Sequence, residues 1–132
     1  MTDTRPDLLA LLIAPDEGMR QDIIAGAKQI TIREGWRSYQ VGCPVVLCCP
    51  IEPWCVMADI VEVRHCTLAE VTREEMEADG FQTPAEMLTG MWHFYPDMYW
   101  NSPVTVIRWE NVRGKLVDEF RAKIDLRFGN HT

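Results

Sequence analysis

Within the stretch Gly26-Ala27-Lys28-Gln29-Ile30-Thr31-Ile32-Arg33 the chain carries an amine, a hydroxyl and a guanidinium. A threonine hydroxyl is a weak nucleophile unless a base takes its proton. Lys28 serves as that base only if desolvation or a nearby cation such as Arg33 favours the neutral amine; protonated, it is instead an electrostatic clamp for an oxyanion. Thr31 and Arg33 share one face of a strand, because strand side chains alternate with a period of two. Lys28 joins them only if the turn at Gly26-Ala27 swings it round. Each residue also has an ordinary use: β-propensity for Thr31, contact with the carbonyls of a preceding helix end for Lys28, cross-strand pairing for Arg33.

Aromatic residues are candidates for stacking against a planar ligand. Trp36 and Tyr39 follow the stretch, Trp54 lies among Glu52, Pro53 and Cys55, and Tyr95, Tyr99 and Trp100 flank Pro96. Stacking a base on such a ring is worth roughly 1–3 kcal/mol. Trp92 and Trp109 are expected in the core, whereas Trp36, Tyr39 and Trp100 suit packing and ligand contact equally. The five cysteines, at positions 43, 48, 49, 55 and 66, are odd in number and show no CxxC spacing. They are expected to be reduced and mostly buried, and with the three histidines dispersed, no metal or other cofactor is expected.

The elements that must position these groups are readable in outline. Leu8 to Ile13 is a continuous apolar run, consistent with a buried strand or part of a helix. Pro15-Asp16-Glu17 opens a helix that Gly26 ends, with Met19, Ile23 and Ile24 at helical spacing. Gln29 to Arg33 alternates as a half-buried strand with Ile30 and Ile32 toward the core. A turn at Val41-Gly42-Cys43-Pro44 leads to a strand over Val45 to Cys49, and another covers Val56 to Arg64. Thr72-Arg73-Glu74-Glu75 forms a capping box for a short helix stopped by Gly80. Thr83-Pro84-Ala85-Glu86 repeats the signature for a helix running to about Tyr95. Pro103 to Glu110 reads as the last strand, and Leu116, Phe120 and Ile124 fall on one face of a short helix. Mixed short strands with few helices predict an α+β fold around a small open barrel.

A chain of 132 residues suits one domain, and its 47% hydrophobic and 25% charged composition is that of a globular protein. The formal charge of −7 argues against a broad basic face gripping many phosphates, and favours a nucleoside or a single modified base held in a local positive pocket. The apolar run from Leu8 to Ala14 is too short to span a bilayer and lacks a basic leader, so a cytoplasmic protein without a membrane partner is expected.

The octapeptide from Gly26 to Arg33 resembles the GxKxxTxR signature of ASCH domains, a branch of the PUA-like barrels. Tyr39-Gln40-Val41-Gly42 resembles that family's next turn, Leu68 to Phe81 its "L…(L/V)T…E…(E/D)GF" segment, and Pro103 to Glu110 its closing strand. The resemblance covers about residues 8 to 110, leaving 111–132 as an extension of a single 1–132 domain. It implies a PUA-like open β-barrel with flanking short helices around a cleft. It also implies RNA binding or, as in some small bacterial members, removal of the acetyl group from N4-acetylcytidine. In those amidohydrolases the motif lysine and threonine act with an acidic residue from the later helical segment, which here gives Lys28, Thr31 and Asp79. The family often carries glutamate where Asp79 stands, so the shorter aspartate is expected to reach less far, and Glu77 lies close by in sequence. Arg33, Trp36, Tyr39, Glu77 and Trp100 are the expected ligand contacts, with a modified nucleoside or single-stranded RNA as partner and a monomer as the favoured state. A non-catalytic RNA-binding module, an RNA-degrading protein and a protein-interaction adaptor are the alternatives.

Overall fold

The structure, a computed structural model, describes residues 9–13, 16–49, 51 and 53–114. Its elements in chain order are β1 (Leu9–Leu12), α1 (Glu17–Ala25), β2 (Ile30–Glu34), β3 (Pro44–Cys48), β4 (Cys55–Thr67), a 3-10 turn at Leu68–Glu70, α2 (Arg73–Ala78), α3 (Pro84–Phe94) and β5 (Pro103–Arg113). The strands form one mixed sheet in the order β1-β3-β4-β5-β2. β1 runs parallel to β3, while β3 pairs with β4 and β2 with β5 antiparallel. The architecture is α+β, as the mixture of short elements predicts. No helix among the described residues is long and apolar enough to cross a membrane.

The fold divides into two compact units. In the first, whose described residues fall within 9–27, 43–59 and 110–114, the apolar run that left strand and helix open is the strand β1. α1 starts where an acidic N-cap can satisfy a free backbone N–H: Asp16 accepts from the Met19 N–H at 2.8 Å. It stops at Gly26, whose φ of 79° is the left-handed conformation that a glycine adopts without a Cβ clash. Of the expected apolar face of this helix only Ile23 is buried; Ile24 is exposed. The helix predicted over Leu116, Phe120 and Ile124 lies outside the described residues.

The second unit, residues 28–42 and 60–109, is built on a continuous apolar cluster. Ile30 and Ile32 from β2, Val104 and Val106 from β5, Met76 from α2, and Met87, Leu88 and Met91 from α3 meet in it; Ile30 and Ile32 face the core as the alternation predicts. α2 has its full capping box: Thr72 accepts from the Glu75 N–H at 3.2 Å and Glu75 from the Thr72 N–H at 2.8 Å. α3 has only half of one. Thr83 accepts from the Glu86 N–H at 3.1 Å, but the Glu86 carboxylate reaches the N–H of Gln82 instead, at 3.4 Å. Strand limits differ more, because backbone pairing carries β4 on to Thr67 and β5 on to Arg113 beyond the residues whose side chains alternate cleanly.

Candidate functional site

The second unit brings Lys28 and Asp79 together. Asp79 caps the C-terminal end of α2, where two backbone bonds fix the chain: Gly80 N–H to Glu77 O at 3.0 Å and Phe81 N–H to Met76 O at 3.1 Å. This is a Schellman closure, and it needs Gly80 at its φ of 101°. Phe81 then packs against the apolar cluster that contains Met76. The position facing the Phe81 ring on α3 is Gly90, where any Cβ would lie 2.5 Å from a ring carbon. A carboxylate at a helix C-terminus opposes the helix dipole, so the local structure holds Asp79 where its charge needs a partner.

That partner is Lys28, whose Nζ donates to Asp79 Oδ1 at 2.7 Å and to the Ile30 carbonyl at 2.9 Å. The two side chains are 12% and 11% exposed. The aspartate thus reaches Lys28 without the extra methylene of glutamate. Burial pushes the Asp79 carboxyl above the usual aspartate range, against the attraction of Lys28 and of Arg33, both of which favour the ionised form.

Thr31 and Arg33 form the neighbouring pair on β2. Arg33 Nε donates to Thr31 Oγ1 at 3.0 Å, and Thr31 is only 6% exposed. The face of β2 opposite Ile30 and Ile32 is therefore closed over at Thr31 by the Arg33 side chain, where the alternation predicts an open one. Arg33 is near enough to Asp79 to act on its ionisation. Lys28–Asp79 and Thr31–Arg33 are thus two polar pairs of one unit, linked by the pull of the Arg33 charge on Asp79.

The remaining expected contacts separate. Glu77 points away from the cluster into an ion pair with Arg73 at 2.9 Å, four residues earlier on α2. Trp100 lines a cavity of about 500 Å³ together with Leu68, Val71, Met76, Thr83 and Met87, and none of Lys28, Thr31, Arg33 or Asp79 lines it. Its charged lining residue, Arg73, is the one paired with Glu77, and this cavity is distinct from the Lys28–Asp79 pair. Tyr39 is half-buried. Trp92, expected in the core, is 44% exposed and donates from Nε1 to the Met98 carbonyl at 2.6 Å, whereas Trp109 is buried as expected.

Trp36 is 65% exposed, yet it is held. Its Nε1 donates to the Cys66 carbonyl at 3.2 Å, and its ring lies 5.9 Å from that of His65. His65 Nε2 is 2.8 Å from the Arg37 carbonyl, an acceptor only, so that nitrogen carries the hydrogen. Thr105, fully buried on β5, donates to the Gly35 carbonyl at 2.6 Å and accepts from the Arg37 N–H at 2.8 Å. Sequence reasoning passed over Thr105; the available signal was a hydroxyl inside an otherwise apolar strand, which must find a partner when buried. It also passed over Arg64, whose Nε donates to Glu75 at 3.0 Å and whose Nη2 donates to it at 2.5 Å. The described cysteines are all free thiols, and no cluster of metal-ligating side chains occurs among the described residues.

No family model matches the sequence, and no curated protein does. Solved structures do. The chain is similar to an ASCH domain from Lactobacillus crispatus JV V101, with 15% identity over 78% of each chain and a TM-score of 0.59. It is also similar to a DUF984 protein from Enterococcus faecalis V583, with 11% identity, a TM-score of 0.61, and coverage of 90% of this chain and 83% of that one. The fold is ASCH-like.

Proposed function

We propose that this chain, with its ASCH-like fold, is a nucleoside-pocket protein that hydrolyses the exocyclic amide of an N4-acylated cytidine, using Lys28, Asp79 and Thr31. The observation that carries this reading is the 2.7 Å pair between the largely buried Lys28 and Asp79. A buried charge pair beside a hydroxyl, with its carboxyl pushed upward by desolvation, is the arrangement expected of acid–base machinery. Asp79 is the better base of the two, because Lys28 already donates to two acceptors. Asp79 takes a proton from water as the water oxygen adds to the acyl carbon. Lys28 stabilises the resulting oxyanion. Asp79 returns the proton to N4 as the carbon–nitrogen bond breaks, releasing the carboxylic acid and the cytidine. Thr31, held by Arg33, orients the base as a hydrogen-bonding partner. Incubation of the protein with N4-acetylcytidine, followed by chromatography for cytidine, tests the proposal.

The exposed, anchored ring of Trp36 favours a second reading, a module that binds single-stranded RNA by base stacking without turnover. Salt separates the two, since polyanion binding weakens steeply with added salt while nucleoside hydrolysis does not.

A further inference from the structure

We propose that Cys48 and Cys55 form a dithiol site that hydrogen peroxide oxidises to a cross-strand disulfide, independently of the nucleoside chemistry. The two residues face each other as the last of β3 and the first of β4. Their sulfur atoms are 2.7 Å apart, in an apolar cluster with the cross-strand pair Val46 and Met57. The next rung of the ladder, Cys49 N–H to Trp54 O at 2.9 Å, is hydrogen-bonded, and the Cys48 carbonyl turns to the other side to accept from the Ile13 N–H at 2.8 Å. By the alternation of antiparallel pairs, Cys48 and Cys55 therefore occupy a non-hydrogen-bonded position, where Cα atoms approach to about 4.5 Å. That spacing lies within the span a disulfide needs, so the bond closes without moving either strand.

The site holds two reacting sulfurs and needs only a small oxidant. One thiolate attacks a peroxide oxygen; the O–O bond breaks, hydroxide leaves and is protonated to water, and a sulfenic acid forms. The second cysteine's sulfur attacks that sulfur and displaces a second water. Two electrons pass from the thiol pair to the peroxide, and the S–S bond is the product. Cys49 does not compete, because it points to the opposite face of the strand, where its sulfur is 3.4 Å from Arg20 Nη1 and from the Ile51 nitrogen.

Burial also sets the tempo. It pushes the Cys48 and Cys55 thiols upward, so little thiolate is present at neutral pH and oxidation is slow. The same property makes both sulfurs poor leaving groups, so the disulfide, once formed, is slow to reduce. The pair works as a latch rather than a fast sensor.

The test is peroxide treatment of the full chain, then denaturation, alkylation of remaining thiols and mass analysis. The expected product is lighter by two hydrogens, has lost two alkylatable thiols of the five, and maps to Cys48 and Cys55. Cys49→Ser should retain this product, while Cys48→Ser and Cys55→Ser should each abolish it. If all five thiols still alkylate, or if Cys49→Ser removes the product, the proposal is overturned. Wild type alone gives a second measure that does not depend on folding of the variants: the oxidised protein should unfold at higher urea than the same sample after dithiothreitol, and equal midpoints would count against the latch.

Discussion

Lys28 Nζ and Asp79 Oδ1 meet at 2.7 Å across a separation of 51 residues, joining the entry to β2 with the end of α2. Both charges are largely out of water, so each depends on the other. Removing one partner of such a pair leaves an uncompensated buried charge, at a cost of about 3–5 kcal/mol. Lys28→Ala and Asp79→Ala should each be strongly destabilising, and the double variant should cost clearly less than their sum. Urea unfolding of the four proteins in the cycle measures this; strict additivity would mean that the pair is not coupled.

On N4-acetylcytidine the same two residues should act as a unit. Lys28→Ala is expected to lower turnover at least ~100-fold, the usual loss on removing an oxyanion donor. Lys28→Arg should be no better, because a guanidinium fork does not replace a point charge. Asp79→Glu should lower activity too, since the aspartate already touches Lys28 and the added methylene has to displace it. Initial rates for folded variants decide the matter, and wild-type turnover by Lys28→Ala would remove Lys28 from the chemistry.

Two buried carboxyls should titrate with opposite effects on stability. Burial raises Asp79, so its contribution is fully present below the ordinary aspartate range and is lost as pH rises through the higher folded value. For Glu75 burial also pushes upward, but the Arg64 guanidinium and the Thr72 N–H and hydroxyl together hold it below the usual glutamate range. Its contribution is present above the ordinary glutamate range and is lost as pH falls through the lower folded value. Unfolding midpoints between about pH 2 and pH 7 should therefore show wild type losing ground to Asp79→Asn as pH rises, and gaining on Glu75→Gln.

The exposed ring of Trp36 should matter to ligands and not to folding. Trp36→Ala should weaken nucleoside or RNA binding by roughly 1–3 kcal/mol, the value of one stacked base, while Trp36→Phe retains most of it. Titrations of each variant, with unfolding curves as controls, measure both effects.

Gly90→Ala places a methyl against the Phe81 ring at a distance no side chain tolerates. The expected loss is about 1–3 kcal/mol, as for other overpacked positions. Phe81→Leu in the same chain should restore part of it, because the smaller side chain yields the space. Thermal unfolding of the single and double variants checks this.

Local signals made the element starts legible. The caps at Thr72 and Thr83, the stop at Gly26 and the alternation that buries Ile30 and Ile32 all depend on neighbours in sequence. Contacts between distant segments were not legible in the same way. The residues alone give no reason to pair Lys28 with Asp79; the family resemblance named both, and the geometry shows them touching. Glu77 was separable from Asp79 by helix spacing, since Arg73 stands four residues before it and claims its carboxylate. Trp92 was misjudged because an apolar ring on a helix says little about which face it occupies. The Arg64–Glu75 pair was missed because Glu75 already had a role in the capping box, and a carboxylate accepts several bonds.

Thr105 has a consequence for ligand thermodynamics. Its hydroxyl ties both Gly35 and Arg37, and so fixes the backbone on either side of Trp36. The ring is thus ordered in advance, and a base stacking on it under the proposed reading would be spared the entropy of freezing a loop. Thr105→Val keeps the shape of the strand and cuts both ties. By calorimetry, its weaker binding should be entropic in origin: a near-unchanged enthalpy of stacking set against a larger ordering penalty.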